Sequence, residues 1–283
     1  MEALRLDRGS AYWDSVIEDQ LSSPQPAWRA YVDTLHQELV VRWLSGIKPS
    51  RLLKTDLYEE AVGNGLISIL RQPTVFAVGM DVSPKLVKVA CRRYSSLHCL
   101  AADSRKLPFA EDSFDGILSI STLDHFASIE GIELSLSEFS RVLRPKGVLV
   151  LTLDNPANPL IALRQVLPFR LLNRLRIVPY YVGYTCGPSK LRDLLSKNGF
   201  GVAEMTAVVH CPRALAIPLA AWLDRYGSEK NRARLNKLLH KCEALAAWPT
   251  RFRTGHFIAV KAIRGISSKT VRAGYRFDGP AKQ

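Results

Sequence analysis

The chain has 283 residues, 47% hydrophobic and 23% charged, and a formal net charge of +13. That composition excludes a mainly disordered chain, and no apolar run reaches the ~20 residues that span a bilayer. The charge is uneven: residues 1–150 hold 17 basic and 19 acidic side chains, whereas residues 151–283 hold 22 and 7.

In chain order, residues 1–50 read as a polar helical extension. Pro24 and Pro26 divide it into two helices, because proline cannot sit in a helix interior. Trp28, Tyr31, Leu35 and Leu39 share one face of the second. Trp13, Trp28 and Trp43 are expected to anchor this extension to the core. From Arg51 strands and helices alternate. Strands are predicted at Leu52–Leu57, Val75–Met80, Leu97–Ala101, Phe114–Ile120 and Val148–Leu153. Helices are predicted at Gly65–Leu70, Pro84–Tyr94 and Ile132–Val142. Ser83 and Pro84 form a cap and a first turn, and Pro145 with Gly147 follows the last helix. Apolar strands alternating with helices predict a parallel sheet covered on both faces, hence a doubly wound α/β fold.

Residues 51–154 would form its core. Residues 155–186, rich in proline, aromatics and arginine, interrupt the rhythm as a lid insertion. Residues 187–263 resume it with a helix at Pro188–Asn198, a strand at Phe200–Val209, a helical insertion at 213–247 and a strand at His256–Ala262. Residues 264–283 read as a polar tail.

In such a sheet ligands bind beyond the carboxyl ends of the strands, so the residues just after each strand carry the information. Gly63 and Gly65 follow the first strand and precede a helix, where backbone can approach a ligand. Asp81 follows the second strand and suits a pair of ribose hydroxyls, since an ionised carboxylate only accepts. Asp103 follows the third, Asp124 and His125 the fourth, and Asp154 with Asn155 the fifth. Each alone is ordinary turn chemistry; together they mark one edge.

The stretches AADSRKLPFAEDSFDGILSISTLDHF and SRVLRPKGVLVLT resemble the class I S-adenosylmethionine-dependent methyltransferases of the type 11 branch. The resemblance runs from about Arg51 to Leu153. It implies a Rossmann-like sheet of seven strands, the last antiparallel, with S-adenosylmethionine as cofactor. By that resemblance Asp81 would hold the ribose hydroxyls and Val82 would pack beside the adenine. Asp103 would receive the adenine amine, flanked by Ala102 and Ser104. Ser119 and the residues after it would line the methionine end, and Gly63 and Gly65 would pass close to the cofactor's amino-acid part. The first loop departs from the family, with Lys54 where an acidic residue is common. Asp56 is therefore a candidate partner for the cofactor's ammonium group, with Glu59 and Glu60 as rivals.

The implied reaction is methyl transfer to an oxygen or nitrogen of a small organic acceptor, anionic or aromatic; the alternatives are a lipid or quinone methyltransferase docked on a membrane surface and a non-catalytic binding protein on the same fold. His125 is the candidate base and Asp124 either orients it or serves as the base itself. Nucleic acid is disfavoured, because the motifs of base-methylating enzymes are missing after strand four. The basic second half suits peripheral membrane contact, an acidic substrate or a plain solvated face. Five cysteines without a CxxC pair, and a first segment without an apolar signal stretch, lead to the expectation of a cytoplasmic protein. No histidine or cysteine spacing suggests a metal site.

Overall fold

The computed structural model describes residues 9–22, 25–174, 178 and 180–265. Pro24, Arg176 and the polar tail beyond residue 265 lie outside the described residues. Two N-terminal helices, α1 (Ser10–Ser22) and α2 (Pro26–Leu44), precede the sheet. Strand β1 (Arg51–Lys54) leads into the short helices α3 (Tyr58–Val62) and α4 (Ile67–Leu70). Then come β2 (Phe76–Asp81), α5 (Pro84–Arg93), β3 (His98–Ala101), β4 (Phe114–Ile120), α6 (Ile129–Val142) and β5 (Leu143–Asp154). The segment after β5, expected from the sequence to be a lid, holds α7 (Pro159–Val166) and α8 (Phe169–Arg174). Helix α9 (Pro188–Lys197), β6 (Phe200–Val208), α10 (Arg213–Tyr226), α11 (Glu229–Cys242), α12 (Arg251–Thr254) and β7 (Phe257–Arg264) complete the chain.

The seven strands lie in the order β3-β2-β1-β4-β5-β7-β6. The first five pair in parallel, while β7 runs antiparallel to both β5 and β6. This is the expected fold class. Order reverses between β1 and β4, so the crevice at the carboxyl ends opens there.

Alternation along the buried strands feeds two apolar layers. Leu52, Leu118 and Val150 point to one face, where α2, α5, α10 and α11 pack, and Leu53, Ile117 and Leu149 point to the other, against α6 and α9. Helix α2 is thus a wall of the core: Trp43 is 1% exposed, and its indole Nε1 donates to Glu204 on β6 at 2.8 Å. Helix α5 begins as predicted, with the Ser83 hydroxyl accepting from the Leu86 amide at 3.0 Å. Strand β1 ends three residues before the predicted Leu57, because the chain turns into α3. The segment around Arg144–Gly147 is a bulge within β5, where the pairing with β4 jumps from Phe114–Leu143 to Gly116–Val148.

Phe139, on the buried face of α6, is fully buried. Phe139→Ala is expected to cost about 3–5 kcal/mol through lost transfer energy and a residual cavity. Urea unfolding checks this: the midpoint should fall with little change in slope, and a loss below about 1 kcal/mol would mean that α6 does not seal this layer.

Candidate active site

The carboxyl ends of β1, β2, β3 and β4 open into one cavity of about 1080 Å³, bounded on its far side by α2, the lid insertion and the start of α10. Its floor is built from the loops that follow each strand. Asp81, closing β2, is 5% exposed. Its oxygens accept from the Leu57 amide at 3.0 Å and the Ser83 amide at 2.8 Å. Burial nonetheless pushes its carboxyl up to about 7, because those amides only partly offset the lost hydration. Val82, Leu86 and Ala102 supply an apolar slot beside it. Asp103 also lines the cavity, but Arg105 engages its carboxylate in fork geometry, at 3.0 Å from Nε and 2.6 Å from Nη2. Ser104 turns its hydroxyl to Ser135 on α6 at 3.0 Å.

The first loop differs from the path expected for it. Lys54, 1% exposed, places Nζ 2.9 Å from Glu60 Oε2 and 3.5 Å from Asp56 Oδ1, and donates to the Asp56 carbonyl at 2.7 Å. Burial works against the cation, but these acidic neighbours outweigh it and keep the amine charged. Gly63 and Gly65 do not reach the cavity. Both serve the turn instead. Asp33 on α2 accepts from the Asn64 and Gly65 amides at 2.9 and 3.0 Å. Gly65 has φ +48°, and a Cβ there would stand 2.3 Å from Glu60 Oε1. A Cβ on Gly63 would stand 2.9 Å from Asp33 Oδ2. Of the three acidic candidates, Asp56 and Glu59 line the cavity, whereas Glu60 is fully buried against Lys54. Asp56 is fixed by the Tyr58 amide at 3.1 Å and the Thr122 hydroxyl at 3.0 Å.

At the end of β4, Ser119 is buried and is not among the residues lining the cavity, whereas Ile120, Ser121 and Thr122 line it. Ser121 has φ 51°, an uncommon conformation for a residue with a Cβ. Its amide donates to Thr152 Oγ1 at 3.0 Å and its hydroxyl to Asp124 Oδ2 at 3.0 Å. Asp124 is 1% exposed, accepts from the Asp154 amide at 3.0 Å, and is raised by burial. His125 Nδ1 lies 3.0 Å from the Tyr181 carbonyl, and its Nε2 lies 3.9 Å from Asp124 Oδ1. A carbonyl only accepts, so Nδ1 carries hydrogen and the neutral ring keeps its lone pair on Nε2. The ring stands edge-on to Trp13 at 4.7 Å and to Tyr180 at 5.7 Å. The lid is stitched to this loop by two backbone bonds, Gly183 N to Asp124 O at 2.7 Å and Tyr184 N to Phe126 O at 2.6 Å. Gly183 must be glycine, since a Cβ would meet the Phe126 carbonyl at 2.0 Å.

The far wall is basic. Asp154 pairs with Arg164 and lies 3.2 Å from His256 Nε2. Burial opposes its charge, but the His256 hydrogen bond and the Arg164 cation hold it well below the usual carboxylate range. Burial, with Arg213 nearby, pushes His256 down to about 4, so it donates as a neutral ring. Arg213 lines the cavity with its guanidinium 5.4 Å from the Trp28 ring and 5.8 Å from Phe257, and makes no ion pair among the described residues. His210 is not poised for proton transfer: Nδ1 contacts Thr254 at 2.8 Å and Nε2 the Ala207 carbonyl at 3.0 Å. Sequence reasoning missed Trp13, Arg29, Tyr58, Arg105, Arg213 and His256 as wall residues. The density of tryptophan in a polar N-terminal segment was the one available signal.

Residues 61–151 match the family described as a methyltransferase domain. The tRNA (carboxymethyluridine(34)-5-O)-methyltransferase of Arabidopsis thaliana is 29% identical over 96 residues, 34% of this chain and 23% of that protein. The demethylmenaquinone methyltransferase of Thermotoga maritima is 30% identical over 130 residues, 45% of this chain and 53% of that protein. The chain therefore spans about a quarter of the first relative's length and about half of the second's. A SAM dependent methyltransferase from Archaeoglobus fulgidus superposes with a TM-score of 0.52 at 15% identity, covering 82% of this chain and 94% of that one.

Lys54→Met should cost about 3–5 kcal/mol, because it leaves Glu60 buried without its cation. Adding Glu60→Gln should restore most of that loss, since the amide oxygen can still accept from the Leu66 amide, a bond of 2.8 Å. Denaturant unfolding of the two variants checks both; a single variant as stable as the parent would show that the ion pair does not organise the loop.

Proposed function

We propose that the chain is a class I S-adenosylmethionine-dependent methyltransferase that methylates an oxygen or nitrogen of a small organic molecule, a reading supported by the methyltransferase-domain match at residues 61–151 and by the seven-stranded sheet. The observation that carries this reading is the single cavity joining Asp81, at the end of β2, to His125, after β4. The residues present fit the cofactor. Asp81 retains free lone pairs for the ribose hydroxyls. Val82, Leu86 and Ala102 suit the purine, with Asp103 at the ring's edge and the Ser104 backbone beside it. Asp56 and Glu59 suit an ammonium group. The buried Arg29 Nε and His36 Nε2, both on the cavity wall, lack hydrogen-bond partners among the described residues, which suits an amino-acid carboxylate.

Bound S-adenosylmethionine supplies an electrophilic methyl carbon on a sulfonium. The chain's part is then alignment and proton removal. His125 Nε2 takes the acceptor's proton, and Asp124 stabilises the imidazolium that forms. Trp13, Tyr58 and Tyr180 form an aromatic wall for the acceptor. Arg213, stacked between two rings and without a carboxylate partner among the described residues, suits an acceptor with a carboxylate or phosphate. The two curated relatives are named for a tRNA base and a quinone, so their names do not choose the acceptor; the enclosed aromatic cavity favours a small molecule over a polynucleotide.

Calorimetric titration with S-adenosylmethionine and S-adenosylhomocysteine tests the cofactor. Saturable binding is expected, weakened at least about tenfold by Asp81→Ala, since hydrogen bonds to a charged group contribute ~1.5–3 kcal/mol each. Ribose hydroxyls donate to the ionised carboxylate, and Asp81 titrates near 7. Affinity should therefore be full above pH 8 and fall as the pH drops through 7, a dependence that Asp81→Asn should remove. No binding by folded protein would sink the reading. Once an acceptor is found, His125→Ala should slow transfer by about 10²–10⁴-fold with cofactor affinity unchanged.

A further inference from the structure

Helix α10 carries an apolar stripe left largely exposed among the described residues. Leu215, Leu219, Trp222 and Tyr226 are 71%, 44%, 56% and 64% exposed. Their spacing of four, three and four residues puts them on one face. The adjacent face is satisfied, with Ala216, Ala220 and Leu223 buried. Helix α7 repeats the pattern. Leu160, Leu163 and Val166 are 66%, 55% and 76% exposed, while Ile161 is buried. Leu160 and Leu163 also line the active-site cavity, as do Ala214, Ile217 and Pro218 of α10. Residues that are both exposed and cavity-lining stand at an opening, so the two ridges flank the cavity mouth.

The charge around these ridges has one sign. Residues 159–174 contain three arginines and no acidic residue, and residues 213–242 contain seven Lys or Arg against Asp224 and Glu229. Of those two, Asp224 already accepts from the Ala27 amide at 3.2 Å. Arg170, Arg174, Arg225, Lys230, Arg234 and Lys237 are exposed.

We propose that α7, α8 and α10 form a docking surface for an anionic phospholipid bilayer, with the cavity mouth turned toward the membrane. A helix with an apolar ridge and a basic margin lies in the plane of a bilayer interface, its ridge among the acyl chains and its cations at the phosphates. No helix among the described residues is long and apolar enough to cross a membrane, so the contact is in-plane. Nucleic acid would satisfy the cations but leave Leu and Val in water. A second copy of the chain would set this basic surface against itself across a two-fold axis. A bilayer matches both features, and it gives a lipid-soluble acceptor direct entry to the cavity.

Flotation of the full chain with phosphatidylcholine vesicles, with and without phosphatidylglycerol, tests this. The protein should float with the anionic vesicles, less so as salt rises, and poorly with phosphatidylcholine alone. The triple variant Val166→Ser, Leu215→Ser, Trp222→Ser lies outside the cavity. It should partition at least about tenfold more weakly, with an unchanged circular dichroism spectrum. Arg170→Gln with Arg174→Gln should reduce the salt-sensitive part. Wild-type protein left at the bottom at low salt, a triple variant that floats as well as wild type, or sedimentation showing a dimer that the triple variant abolishes would overturn the proposal. Flotation is read without cofactor, so its failure leaves methyl transfer standing, and a failure of cofactor binding leaves the docking surface standing.

Discussion

A lysine buried at the carboxyl end of β1 sets the shape of the site. An ammonium group cannot sit in a protein interior alone. Lys54 draws Glu60 and Asp56 to it, and to deliver Glu60 the chain must coil immediately after the strand, as α3. That helix takes the space in which a glycine turn would otherwise pass. It presents Tyr58 and Glu59 to the cavity and moves Gly63 and Gly65 behind it. The displaced turn needs its own amide partners, and Asp33 of α2 supplies one carboxylate to two of them. One buried charge therefore links β1, α3 and α2, and through α2 makes the N-terminal helices part of the active-site wall.

Charge is unevenly distributed across the cavity: on the side of β1 to β4 the wall carries Asp56, Glu59, Asp81, Asp103 and Asp124 beside Arg29 and Arg105, and on the side of β5 to β7 it carries Arg164, Arg213 and Arg253 beside Asp154. Burial raises both Asp81 and Asp124, with a smaller push from one neighbouring carboxylate each, Asp56 and Asp154. A cationic ligand on the acidic side relieves that cost, and an anionic one on the opposite side meets arginine. The proposed sulfonium cofactor and anionic acceptor have the charges that this arrangement favours, with their reacting ends meeting near His125.

The sheet was legible because its strands are buried on both faces and read as short apolar runs. Phe114–Ile120 was placed to the residue, and Ser83 with Pro84 announced α5. The antiparallel β7 came from family resemblance, since nothing in its apolar run encodes direction. Helix α3 was invisible, because five residues are too few to show a helical period. Gly63 and Gly65 were set beside the ligand by their position in sequence; the carboxylates that require them to be glycine come from Asp33 and Glu60, which only the fold brings close. Trp13 and Trp28 show another limit. Periodicity identifies the apolar face of a helix without saying whether that face meets a core or a cavity. Asp103 lines the cavity, but its pairing with Arg105 two residues on leaves no pattern to read.

The division of labour between Asp124 and His125, open from sequence, follows from what surrounds each in the proposed reaction. Asp124 is 1% exposed, and the Asp154 amide and the Ser121 hydroxyl both donate to its Oδ2 at 3.0 Å. His125 is held from Nδ1 by the Tyr181 carbonyl, which leaves Nε2 as the ring nitrogen able to face an acceptor in the proposed reaction. Its 3.9 Å separation from Asp124 is too long for a hydrogen bond but short enough for a carboxylate to stabilise the ring once it gains a proton. The lid carbonyl that fixes this tautomer belongs to the segment tied down at Gly183 and Tyr184. Displacing that segment would therefore release the ring.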